Sequence, residues 1–223
     1  MTVIGQGAYP YFPQTTKRRT FFSFHYADIM RVNVVRNSGE FAQSAQQRGR
    51  HIEGYYDGSL WESKKLQGDD ALRNLIRTGV ENTSAVCVLV GSDTWQRRWV
   101  RYEIARSVID AKGLLAIHIN SINHHQRFTP DARGYNPCNM IGIGRSSSGS
   151  LYLCERIWRN GTWVWDWYKD YVSPVDFPAY FKDPLPVGSV APLGDFTREY
   201  DWIQNGYQNI GGWIDLAAIE AGR

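Results

Sequence analysis

At 223 residues, with 43% hydrophobic and 21% charged side chains, the chain has the size and balance of one globular domain with room for elaborations. A formal net charge of only +3, with acids and bases interspersed, argues against a nucleic-acid binder, which would show a basic stripe. No run reaches the apolar length of a membrane span, and "MTVIGQGAYPYFPQTTKRR" lacks the apolar core of a signal peptide, so a cytoplasmic protein with no membrane partner is expected. Cys87, Cys138 and Cys154 are odd in number and share no metal-ligand spacing, which fits free thiols in a reducing compartment.

Residues 1–19 read as an N-terminal extension. "TFFSFHY" (20–26) is a short aromatic strand, followed by a helix over "ADIMRVNVVRNS" with Ile29, Val32, Val35 and Arg36 at helical spacing. Residues 39–52 are polar and rich in Gln. "HIEGYYD" (51–57) is a weaker strand closed by Asp57-Gly58. "DDALRNLIRTGV" is an amphipathic helix with Leu72, Leu75 and Ile76 inward, Asp69 as a cap and Gly79 near its end. "SAVCVLVGS" (84–92) is apolar without alternation, as expected of a strand covered on both faces. A helix carrying Glu103 comes next, then a second buried strand, "LLAIHIN" (114–120). This alternation predicts an α/β fold, an open parallel sheet flanked by helices, with any ligand at the carboxyl ends of the strands.

The last hundred residues change character. "NMIGIGRSSSGS" reads as a flexible loop, and its glycines do not complete a dinucleotide fingerprint. "LYLCERIWRNGTWVWDWYKD" predicts a Trp-rich hairpin about Asn160-Gly161, with Trp158 facing Trp163 and Arg156 facing Trp165 in a cation–π pair. A proline-punctuated loop follows, then a partly helical stretch broken by Gly206, Gly211 and Gly212. The expected organisation is a single domain over 20–223, with a core of about 20–125 and a C-terminal elaboration of about 126–223.

"RRWVRYEIAR" (97–106) raises the question of function. Val100, Ile104 and Val108 form the stripe facing the sheet, and Trp99, Glu103 and Ser107 the stripe beside it. Two readings stand open: Glu103 pairs with Arg106 on a solvated face, or it is held for chemistry near the mouth of the sheet. In the second case the nearby arginines are expected to lower its pKa and keep it ionised. "GSDTWQRRW" offers Asp93 and Thr94 as caps or as ligand contacts. "SFHY" places Ser23, Phe24, His25 and Tyr26 at the same edge of the sheet. His118, His124 and His125 lack partners at metal-binding spacing, so no metal is expected. No G-x-S-x-G elbow appears, nor the phosphate loop of a flavodoxin, nor the paired acids of a receiver domain.

The order of these motifs resembles the TIR-domain superfamily, and more specifically the TIR-like (ThsB) family of the bacterial Thoeris anti-phage system. The residues that carry the resemblance are "FFSFHY", "RVNVVRNS", "YYDGSLWE", "NTSAVCVLVGSDTWQRRWVRYEI", "IHIN" and "YDWIQNGY", over about residues 20–215. It implies a flavodoxin-like (TIR) fold and cleavage of NAD at the nicotinamide–ribose bond, with NAD as substrate and no cofactor. By the same resemblance Glu103 is the catalytic carboxylate and Trp99 stacks near nicotinamide. Ser23, Phe24, His25, Tyr26, Asp57 and Trp61 would bind the dinucleotide. A cyclic ADP-ribose-type product, an effector reached through that diffusible signal and self-assembly of TIR subunits are further implications. A non-catalytic TIR interaction module and a nucleoside or nucleotide N-glycosyl transferase are the two alternatives.

Overall fold

The structure is a computed structural model and describes residues 18–38, 41, 52–53 and 66–223. Its first half alternates as expected: β1 (Thr20–Phe24), α1 (Ile29–Arg36), β2 (Ile52–Glu53), α2 (Asp69–Glu81), β3 (Ala85–Val90), α3 (Arg98–Ile109) and β4 (Gly113–His118). After an irregular stretch come β5 (Ile141–Arg145), β6 (Leu151–Arg159), β7 (Thr162–Trp167), β8 (Val190–Pro192), β9 (Arg198–Asp201) and α4 (Gly206–Glu220). Two sheets result: a parallel one in the order β2-β1-β3-β4-β9, and an antiparallel one in the order β7-β6-β5-β8.

The parallel sheet has the α/β architecture inferred from the alternation. All six residues of the central strand β3 are buried, which its unbroken apolar run required. Because side chains alternate along a strand, the sheet builds two cores. Phe22, Cys87, Leu89, Leu115 and Ile117 point to the side of α1 and α4. Phe21, Val86, Val88, Val90 and Ala116 point to α2, α3 and the second sheet. Helix α2 contributes Leu72, Ile76 and Val80, one turn apart, to its buried face. Gly68 rather than Asp69 occupies its N-cap, and Asp69 sits in the first turn, where the helix dipole favours a carboxylate.

The structure overturns two local expectations. The segment "IGIG", read as a flexible loop, is β5, an inner strand of the antiparallel sheet. Its glycines are required by close approach. A Cβ at Gly142 would lie 2.7 Å from the Ala191 carbonyl and 3.1 Å from the Trp165 ring, and one at Gly144 would lie 2.7 Å from Cys154 Sγ. The expected break at Gly206, Gly211 and Gly212 is also absent: "REYD" forms β9, and α4 runs unbroken across both later glycines. A glycine inside a helix costs about 1 kcal/mol, and burial of Ile210, Ile214, Ala217 and Ala218 against the sheet outweighs it. The stretch beyond residue 126 thus supplies two elements of the parallel layer itself.

The hairpin forms in the expected register, with Trp158 opposite Trp163 and Arg156 opposite Trp165. Asn160 (φ 51°) and Gly161 (φ 80°) both adopt the positive φ that a type I′ turn demands. Among the described residues the cation–π contact is not Arg156 on Trp165 but Arg98 over Trp99, 4.9 Å from the ring centroid.

Candidate active site

Helix α3 lies between the parallel sheet and the antiparallel one, so most of its circumference is covered. Val100, Ile104 and Val108 are buried toward the core as their spacing implied, and Tyr102, Glu103 and Ser107 are buried as well. Glu103 is only 6% exposed. Its carboxylate meets Ser23, the penultimate residue of β1, whose hydroxyl donates to Glu103 Oε2 at 2.5 Å. The pairing follows from alternation along β1: Phe21 and Ser23 point to α3, while Phe22 and Phe24 point to the other side.

This geometry corrects the expectation that arginines keep Glu103 charged. Arg98 bridges Asp69 (2.7 Å) and Asp170 (2.9 Å), Arg101 reaches Glu155 (3.7 Å), and Arg106 pairs with Asp110 rather than with Glu103. The solvated Glu103–Arg106 pair is therefore absent too. With no cation beside it among the described residues, burial raises the Glu103 carboxyl to about 8, and the Ser23 hydrogen bond only partly opposes that rise. The group titrates near neutrality, so a cation placed against it would ionise it.

The other expected site residues are dispersed around this pair. His25 follows β1, is half-buried, and has its pKa lowered by burial first and then by the Arg97 guanidinium, which makes it a neutral imidazole at pH 7. Tyr26 is 54% exposed and opens the 3-10 turn Tyr26–Asp28. Phe24 packs on the α1 and α4 side, on the opposite face of the sheet from Glu103. Trp99 is half-buried, edge-on to Tyr102 with ring centroids 6.0 Å apart, and Arg98 covers one of its faces. Asp57 and Trp61 lie outside the described residues.

A buried ion cluster at the same edge of the sheet was not foreseen. Arg31 of α1, 4% exposed, pairs with Asp28 (3.0 Å) and Asp131 (2.9 Å) and donates to the Ile122 carbonyl. It ties the turn after β1 to the loop after β4. Asp28 in turn packs against the backbone at the end of β3: a Cβ at Gly91 would fall 2.0 Å from Asp28 Oδ2. The i, i+3 spacing of Asp28 and Arg31 was visible in the sequence, but Asp131 lies a hundred residues on.

An open parallel sheet in the order β2-β1-β3-β4-β9, with a buried helix carboxyl set against the end of its first strand, defines an α/β protein of the flavodoxin-like class. The chain belongs to the ThsB family of Thoeris proteins. Residues 21–124 match the family described as "Thoeris protein ThsB, TIR-like domain". Over 204 residues the chain is 39% identical to the Bacillus cereus (strain MSX-D12) protein named "Putative cyclic ADP-D-ribose synthase ThsB1", spanning 89% of this chain and 99% of that relative. No helix among the described residues is long and apolar enough to cross a membrane.

Proposed function

We propose that this protein cleaves NAD at the nicotinamide–ribose bond and forms a cyclic ADP-ribose-type signal, which activates a defence effector against phage. The observation that carries the reading is the Glu103 carboxyl, buried without a cationic partner among the described residues and hydrogen-bonded by Ser23 at the carboxyl end of β1. The name of the Bacillus cereus relative, a cyclic ADP-D-ribose synthase, supports the same chemistry. The three free, buried cysteines suit a reducing cytoplasm.

The chemistry follows from the leaving group. A glycosidase needs a second carboxyl because an alkoxide departs poorly without a proton. Nicotinamide departs from its pyridinium as a neutral amine and needs no general acid. What the reaction requires is a negative charge beside the ribose as positive charge spreads onto it. Glu103 is mostly neutral at pH 7 in the free protein. A bound pyridinium cation stabilises its ionised form, and the Ser23 hydroxyl keeps donating to that carboxylate. The low-dielectric surroundings that raise its pKa also make its charge more effective once formed. Attack at C1′ by water then gives ADP-ribose, and attack by a nucleophile of the same molecule gives a cyclic isomer.

Mass spectrometry of nucleotides from phage-infected cells tests the reading. Cells carrying the wild-type protein should accumulate free nicotinamide and a cyclic ADP-ribose isomer, and cells carrying Glu103→Gln should not. Equal nicotinamide release from both would sink it.

A further inference from the structure

A cavity of about 460 Å3 opens between the turn that precedes α3 and the Trp-rich hairpin. That volume lies within the range of small-ligand sites. Its walls include Trp95, Tyr135 and Trp163, with Arg156, Asn139 and Asp195 among its polar groups. Trp95 sits edge-on to Tyr135 (5.5 Å, 88°) and to Trp163 (6.0 Å, 69°). None of the three is stacked face to face on another of them, which leaves ring faces for a planar guest. The side chains of Arg156 and Asp195 have no hydrogen-bond or ion-pair partner among the described residues, and they do not pair with each other. An unpaired cation and an unpaired carboxylate in one aromatic cavity call for a ligand with an anionic end, a planar ring and hydrogen-bond donors.

We propose that this cavity binds a mononucleotide: the base on the Trp95, Tyr135 and Trp163 rings, the phosphate on Arg156, and ribose hydroxyls or an exocyclic amine donating to Asp195. The site is separate from Glu103. Arg101, two residues before Glu103 and therefore about 200° around the helix, faces the cavity side. Its guanidinium donates to the carbonyl of Trp95 (3.3 Å) and, at the long limit, to that of Arg156 (3.5 Å). The two walls are thus tied to the helix that carries Glu103. The proposal does not rest on NAD cleavage.

Calorimetric titration of the full chain with adenosine 5′-monophosphate tests it. Saturable binding is expected, weakened about tenfold by Trp163→Ala through loss of stacking. Arg156→Gln should weaken the monophosphate about tenfold while leaving adenosine unchanged. Trp163 is 37% exposed and Tyr135 73%, so Trp163→Ala and Tyr135→Ala should keep the wild-type melting temperature and separate lost binding from lost folding. No saturable binding at millimolar nucleotide overturns the proposal, as does binding that both aromatic variants leave unchanged, which would place the nucleotide elsewhere. Equal weakening of adenosine and its monophosphate by Arg156→Gln overturns the phosphate assignment.

Discussion

The parallel and the antiparallel sheet use polar groups in opposite ways. Around β1 and β3 the polar groups are few and buried, and the charged ones are held by specific partners: Glu103 by Ser23, Arg31 by Asp28, Asp131 and the Ile122 carbonyl. Around β6 and β7 they are half-buried or exposed, and large rings stand in solvent, with Trp158 60% and Trp167 52% exposed. Burial makes the first region sensitive to single atoms, because an unpartnered charge there has no water to turn to. The second region tolerates more, and its exposed aromatic surface is suited to meeting ligands.

The widest gap between the regions should come from Glu103→Gln. We expect nicotinamide release to fall about a thousandfold, on the scale of removing a group that stabilises transition-state charge, measured with purified protein of unchanged circular dichroism. The same variant should be the more stable one in alkali. The Glu103 pKa is raised from 4.5 to about 8, so the stability its neutral form contributes is complete below pH 4.5 and is lost as pH rises through about 8. Glutamine carries no such liability, and thermal melts at pH 8.5 should favour it by about 5 kcal/mol. A variant no more stable than wild type at that pH would show that Glu103 ionises without cost.

Next comes the ion cluster. Arg31→Met strands the buried Asp28 without its cation, while Asp131 keeps Arg127, and should destabilise the fold by about 3–5 kcal/mol in urea unfolding. The third effect is kinetic. Wild-type kcat/KM for nicotinamide release should climb about tenfold per pH unit below pH 8, as Glu103 ionises, and then level. Ser23→Ala removes the hydrogen bond that opposes the raised pKa, so the profile should move to higher pH and activity at pH 7 should drop about tenfold. A profile that Ser23→Ala lowers uniformly without displacing it would assign Ser23 to substrate contact instead. At the small end of the comparison, Trp163→Ala in the hairpin should change stability by no more than about 0.5 kcal/mol, whereas Gly144→Ala in β5 of the same sheet should cost about 1–3 kcal/mol by overpacking against Cys154 and Trp167.

Wherever the signal was local, the sequence was readable. The unbroken apolar run of β3, the helical spacing in α2 and the Asn160-Gly161 turn each needed only a few neighbouring residues, and all three match the structure. β5 was missed because its glycines answer to tryptophans ten or more residues away. The continuity of α4 was missed because the apolar sheet it covers belongs to the first half of the chain. Glu103 was singled out by its place after the central strand, and the structure finds it buried against Ser23, yet the expected electrostatics were inverted. Arginines near it in sequence turn away to Asp69, Asp170, Glu155 and Asp110.

By itself the sequence determined the alternating α/β order, the sheet-facing stripe of α3 and the hairpin register, since periodicity and turn chemistry act over a few residues. Only the tertiary structure decided that Ser23 meets Glu103 from eighty residues away, that the arginines flanking Glu103 in sequence pair elsewhere, and that β9 and α4 return to complete the parallel layer. The physical reason is that a pKa and a helix's tolerance of glycine both depend on burial, which is set by what the rest of the chain packs against a residue.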